Sequence, residues 1–140
     1  MQNIQIKVST QATSDEVATI LDGLTKASSS VSPRNEQSIS IIVRDENEKM
    51  IGGLTGSTYW DHLDIKLLWV DEAARGTGLG QQLVKQAEDE ALKRGCNGAI
   101  VDTYDFQALG FYQKLGYTVF GVKEEFPKGH QRYFLNKKLS

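Results

Sequence analysis

The sequence holds a single cysteine, Cys96, among its 140 residues. An internal disulfide is therefore excluded, and a reducing, cytoplasmic setting is expected. A strong charge of either sign is missing as well. Sixteen Lys and Arg stand against 18 Asp and Glu, for a net charge of -2. That balance offers no basis for binding nucleic acid or a membrane surface. No apolar run approaches the roughly 20 residues of a membrane-spanning helix. The start, Met1-Gln2-Asn3-Ile4-Gln5-Ile6, lacks the basic region and apolar core of a signal peptide, so none is expected. Internal repeats and low-complexity tracts are absent. What is present is ordinary for a soluble globular protein: 39% hydrophobic and 24% charged residues, in a length that suits one domain, 1–140, with one core.

One stretch organises the rest. Leu67-Leu68-Trp69-Val70 reads as the end of a buried strand, Asp71-Glu72-Ala73-Ala74 as a short turn, and Arg75-Gly76-Thr77-Gly78-Leu79-Gly80 as a loop that opens a long amphipathic helix. Glycines at 76, 78 and 80 let backbone N–H groups crowd together, and the positive end of the helix dipole adds to them. Such a loop binds phosphate, best of all a pyrophosphate, and Arg75 adds a charged donor. The Walker pattern is excluded because its lysine is missing, and the dinucleotide pattern because the glycines are spaced G-x-G-x-G rather than G-x-G-x-x-G. A helix that merely begins at a glycine turn is the plain alternative.

Along the chain, Ile4, Ile6 and Val8 alternate with polar residues and predict a half-buried strand. Thr13-Ser14-Asp15-Glu16 is a capping box, followed by Val17, Ile20, Leu21 and Leu24 at helical spacing. Residues 28–38 form a polar loop. Ile39, Ile41 and Val43 predict a second strand, Asp45 to Glu48 a solvated hairpin tip, Met50 to Tyr59 a third strand, and His62 to Val70 a fourth after a tight Trp60-Asp61 turn. These strands are joined too closely for crossovers and should pair antiparallel. A helix over about Thr77 to Arg94 buries Leu83, Val84, Ala87 and Ala91 and stops at Gly95. Gly98 to Asp102 is then a fifth strand, and the intervening helix makes it parallel to the fourth. Ligands in such sheets sit at the carboxyl ends of the strands, which gathers Val70, the glycine loop and Asp102-Thr103 around one crevice. Phe120 and Val122 mark a sixth strand. Tyr133-Phe134-Leu135 mark a seventh, after a loop from Glu124 to His130.

The segment Ala108-Leu109-Gly110-Phe111-Tyr112-Gln113-Lys114-Leu115-Gly116-Tyr117 fits A-x-x-[FL]-Y-x-K-x-G-[FY], and Arg75 to Gly80 fits R/Q-x-x-G-x-G/A. With the crossover between them, these two motifs resemble the GCN5-related N-acetyltransferase (GNAT) family, firmly over about Ile39 to Leu139. The resemblance implies an α/β (α+β) single domain with a mixed, mostly antiparallel sheet of about seven strands, flanked by helices. Its parallel pair, the fourth and fifth strands, would splay around acyl-coenzyme A.

The family transfers an acetyl group from acetyl-coenzyme A to a primary amine by direct attack in a ternary complex, without a metal. Carried over residue by residue, Arg75, Gly76, Thr77, Gly78, Leu79 and Gly80 would bind the pyrophosphate. Trp69 and Val70 would hold the pantetheine, and the backbone at Leu68 to Val70 would polarise the thioester carbonyl. Thr103, Ala108, Phe111 and Lys114 would complete the coenzyme site, and Tyr112 would protonate the leaving thiolate. Asp105 departs from the asparagine common in relatives, which puts that side chain's contact to the pantetheine arm in doubt. Asp64 and His62, on the polar face of the fourth strand, are candidates for deprotonating the amine. Surface polarity explains them equally well.

The acceptor is expected to be a small-molecule or peptide amine. It should be cationic if Asp61, Asp64, Asp102, Asp105 and Glu124-Glu125 face the crevice. A homodimer is the default assembly. The competing reading is a coenzyme-binding sensor that no longer catalyses. Acceptor identity is not written in the sequence, because the loops that decide it carry no portable code.

Overall fold

The protein is described from a computed structural model covering residues 3–140. The chain divides into two compact units, Met1–Pro33 and Arg34–Ser140.

The first unit contains one helix, α1 (Ser14–Ala27). Its capping box forms as expected. Thr13 Oγ1 accepts from the Glu16 N–H at 3.1 Å, and Glu16 Oε1 accepts from the Thr13 N–H at 2.8 Å. The expected strand at Ile4, Ile6 and Val8 is not formed. Those residues are 64, 90 and 97% exposed. An alternating pattern alone does not hold a strand that has no neighbour to take its hydrogen bonds.

The second unit is a six-stranded sheet with helices. The strands are β1 (Gln37–Arg44), β2 (Met50–Tyr59), β3 (His62–Val70), β4 (Gly98–Tyr104), β5 (Thr118–Glu124) and β6 (Gln131–Lys138). Helix α2 (Leu79–Lys93) joins β3 to β4, and α3 (Leu109–Lys114) joins β4 to β5. The order across the sheet is β1-β2-β3-β4-β6-β5, antiparallel everywhere except between β3 and β4. The sequence pattern thus located six of its seven strands, and the helical crossover does produce a parallel pair.

Trp60 and Asp61, the tight turn between β2 and β3, both take positive φ, at 44° and 64°. Two successive left-handed residues match the twist of a two-residue hairpin, which explains the sharp reversal despite the absence of glycine. The core lies where α2 meets the sheet. Leu83, Val84, Ala87 and Ala91 of the helix pack with Leu54, Leu63, Ile65 and Ala99, all at most 1% exposed. Two polar ties fix the helix. Arg94 donates to the Gln37 carbonyl and to Thr58 Oγ1, both at 3.1 Å. Buried Glu88 accepts from the Tyr117 hydroxyl at 2.7 Å and from Lys137 Nζ at 3.0 Å.

The feature that positions the site is where β3 and β4 stop pairing. They are in register only from His62 opposite Gly98 to Ile65 opposite Val101. Beyond that point β3 continues with β2, and β4 with β6, so the two strands part. A register shift beside Thr55 and Gly56 places Lys66 in a bulge on β3 at the parting point. Gly56 permits it, because a Cβ there would lie 2.2 Å from the Asp64 carbonyl oxygen.

Candidate active site

The parted ends of β3 and β4 border a crevice of about 830 Å³, within the usual range of small-ligand sites. One wall is Leu68, Trp69 and Val70. The other is Val101, Asp102 and Thr103, with Ala108, Phe111 and Tyr112 from α3 and the turn before it. The head is the glycine loop.

That loop divides its glycines between two tasks. Gly76 and Gly78 take φ of 79° and 82°, a region that disfavours side chains, and a Cβ on either would meet nothing. Gly80 is needed for approach instead, since a Cβ there would touch the Phe111 ring at 3.3 Å. Gly78 is the N-cap of α2 and offers no side-chain cap. The first-turn N–H groups of a helix have no intrahelical acceptor, and here Gly78, Leu79, Gly80 and Gln81 line the crevice. Arg75 folds back so that its Nε donates to the Val70 carbonyl at 3.3 Å, fastening the loop to the end of β3. Thr77 donates to the Ala74 carbonyl at 2.6 Å and does not line the crevice. Open backbone donors, a helix N-terminus and a guanidinium form a cradle whose chemistry fits a pyrophosphate.

Tyr112 closes the deep side of the crevice and is 4% exposed. Its ring is held edge-on by Phe111 at 5.1 Å and by Tyr117 at 5.6 Å. Among the described residues no group hydrogen-bonds its hydroxyl. Burial pushes the phenol up to about 12, so it keeps its proton at neutral pH. Thr103, almost fully buried, accepts the Ala108 N–H at 3.2 Å and so ties the end of β4 to the start of α3. Lys114 is exposed on α3 and does not line the crevice.

The two candidate bases lie elsewhere. His62 is the first residue of β3, about 26 Å by strand rise from Val70 at the other end, and its ring sits over Gly98. Asp64 accepts from the Tyr59 hydroxyl at 2.6 Å and from Lys66 Nζ at 2.8 Å, both on Oδ2. The hydrogen bond that each donates to Asp64 is the main cause raising the pKa of Tyr59 and that of Lys66. Lys66 does line the crevice and links Asp64 to it.

Lys66, which the sequence offers only as an ion-pair partner for Asp64, also lines the crevice, as do Gln81, Phe106 and Gln107, which no motif placed in the site. Gln81 was within reach, one position beyond the glycine loop on the same helical turn. Phe106 carries no motif; an aromatic residue between a strand end and a helix start is its only signal.

The comparisons with known proteins agree with this geometry. The model of the "Acetyltransferase (GNAT) family" matches residues 14–117. The chain is 44% identical over 95 residues to blasticidin-S acetyltransferase from Streptomyces morookaense, covering 67% of this chain and 70% of that protein. The crystal structure of an acetyltransferase from Bacillus cereus matches with a TM-score of 0.82 and 36% identity, over 94% of this chain and 97% of that one. An aminoglycoside 6'-N-acetyltransferase, solved in complex with coenzyme A, shares the fold at 20% identity and a TM-score of 0.65, over 76% of this chain and 75% of its own. A family match across most of the chain, a close relative and a crevice between parted parallel strands lead to one conclusion: the chain belongs to the GNAT family and is an acetyltransferase.

Proposed function

We propose that the chain, 1–140 acting as one domain, moves an acetyl group from acetyl-coenzyme A to a primary amine on a small molecule by direct attack in a ternary complex. The observation that carries the catalytic part is Tyr112, a phenol in the wall of the crevice whose hydroxyl has no hydrogen-bond partner among the described residues. The Tyr117 hydroxyl, in contrast, is taken up by Glu88 at 2.7 Å.

The bound thioester supplies an activated acyl carbon and a thiolate leaving group. Each remaining role falls to this chain. Arg75 and the N–H groups from Gly76 to Gly80 hold the pyrophosphate. The backbone at Leu68 to Val70 donates to the carbonyl oxygen as charge gathers on it. Tyr112 gives its proton to the sulfur as the carbon–sulfur bond breaks and the carbon–nitrogen bond forms, and solvent restores that proton. The products are the N-acetylated amine and the free thiol. The amine must also lose a proton, since an alkylamine with a pKa near 10.4 is mostly charged at neutral pH. Asp64 does not line the crevice but is hydrogen-bonded to Lys66, which does, and His62 does not line it either. We assign that proton to water at the crevice mouth.

Tyr112→Phe keeps the ring packing and removes only the donor. General acids contribute about 10²–10⁴-fold, so kcat should fall by that factor with coenzyme affinity nearly unchanged. Wild-type kcat in the variant, with chemistry shown to be rate-limiting, would remove Tyr112 from the mechanism. Coenzyme binding without turnover of any amine by the wild-type protein would favour the sensor reading.

A further inference from the structure

The crevice opens through the sheet, and its two faces differ. On β4, Thr103 turns toward the helices and bonds the start of α3. Its neighbours Asp102 and Tyr104 alternate to the opposite face, where Arg132 of β6 pairs with Asp102. A donor held at the start of α2 fills the helix side, which leaves that opposite face for the acceptor.

Two observations describe that mouth. The carboxylates at or near it are already engaged: Asp102 with Arg132 and Asp105 with His130 Nδ1 at 3.0 Å, while Asp64, behind Lys66, is held by that lysine at 2.8 Å. Attraction by a bare acidic patch is therefore weak. Its aromatic rings, in contrast, form an ordered shelf. Phe106 stacks on Tyr104 at 5.2 Å and 15°, and Phe126 stacks on Tyr104 at 6.2 Å and 7°. The Arg132 guanidinium, held by Asp102, lies 5.6 Å from the Tyr104 ring and 5.3 Å from that of Phe126. His130, held by Asp105, stands perpendicular to Phe106 with ring centroids 5.0 Å apart. Yet Phe106 remains 55% exposed and Phe126 41% exposed, and Phe106 also lines the crevice. Phenyl rings held near parallel beside the Asp102–Arg132 ion pair and the Asp105–His130 hydrogen bond, and about half in water, suit a planar ring as a neighbour.

Resting on the acetyltransferase reading above, we propose that the acceptor is an amine carried on a flat conjugated ring, aryl or heteroaryl, and that Phe106 with Tyr104 and Phe126 forms the subsite for that ring. A compact polyamine or a saturated sugar amine would leave the shelf unused.

A matched pair of acceptors isolates the ring. 2-Phenylethylamine and 2-cyclohexylethylamine have the same carbon skeleton and ammonium group, but the saturated one is bulkier and more hydrophobic. Hydrophobicity alone would thus favour cyclohexylethylamine, whereas stacking favours the phenyl compound. With acetyl-coenzyme A and the wild-type chain, kcat/KM should favour 2-phenylethylamine by about 2- to 10-fold. Phe106→Leu should bring that ratio to about one. The ratio does not depend on the fraction of folded protein, so a merely destabilising substitution leaves it where it was. A wild-type ratio at or below one, or a Phe106→Leu ratio equal to a wild-type preference, overturns the proposal while leaving the acetyltransferase reading intact. If neither amine is turned over, the same comparison is read from binding of each to the coenzyme A complex by NMR titration. Tighter binding of the phenyl compound then supports the subsite, and equal or weaker binding overturns it, independently of the failed turnover.

Discussion

The same two strands behave in opposite ways at their two ends. Between His62 and Ile65, β3 bonds β4 residue for residue, and the side chains of Leu63 and Ile65 disappear into the core at 0 and 1% exposed. From Leu67 to Val70 the partnership is gone, and Leu67 and Trp69 stand 68 and 48% exposed. The second stretch, Leu67-Leu68-Trp69-Val70, is more apolar than the first, which carries His62 and Asp64. An apolar strand run that is left uncovered at a parting of the sheet marks a place where stability has been given up for a binding surface. Backbone polar groups freed there must find other partners, and a ligand can supply them.

The contrast predicts that damage to the closed half appears as lost stability and damage to the open half as lost binding. The largest effect should come from Gly78→Asp. It forces a side chain into a backbone at φ 82° and sets a carboxylate at the head of the crevice, so coenzyme A binding should disappear by calorimetry from a protein that still folds. Unchanged affinity would remove the glycine loop from the site. Next is Leu63→Ala in the closed half. A fully buried leucine truncated to alanine costs about 2–5 kcal/mol, readable by denaturant unfolding, with coenzyme affinity unchanged in the folded fraction.

A third test asks how dry the deep wall of the open half is. Burial raises the folded pKa of Tyr112 to about 12, above the value near 10 of an unfolded chain. The stabilising contribution is therefore complete below pH 10 and is lost as pH rises from about 10 to 12. Tyr117, raised by burial and by its bond to Glu88, acts in the same direction. The denaturation midpoint of the wild type should fall across that window, and that of Tyr112→Phe should fall less steeply. Coincident curves would mean that the hydroxyl is solvated. The smallest effect on stability should come from Trp69→Ala, within about 0.5 kcal/mol, because nearly half of that side chain is already in water. Its coenzyme KM should nonetheless rise, and an unchanged KM together with a large loss of stability would erase the distinction between the two halves.

Most strands and the two long helices could be read from hydrophobic period and caps, because those signals are local, whereas the short α3 was marked only by the family motif. Thr13 with Glu16 and the stop at Gly95 are decided within four or five residues of chain. The lost strand at residues 4–8 shows the limit. Ile4, Ile6 and Val8 have the right alternation, but a strand exists only when another strand bonds it, and nothing in those residues names a partner. The site divides in the same way. The glycine loop and Tyr112 lie in contiguous motifs, and both reach the crevice. Asp64 and His62 were proposed from the face of a strand, and a face does not say where along the strand the sheet opens.

By itself, then, the sequence determined what depends on neighbours along the chain: the helix N-terminus with its free donors, the left-handed glycines at 76 and 78, the crossover that makes β3 and β4 parallel, and the position of a tyrosine on the short helix after β4. Only the tertiary structure decided where β3 and β4 part, that the Tyr112 hydroxyl has no partner among the described residues, and that Phe106 and Phe126 both stack on Tyr104. The reason is physical. Propensity, capping and backbone conformation act over a few residues, whereas strand parting, burial of a phenol and ring stacking are set by groups distant in the chain that meet only once the sheet has formed.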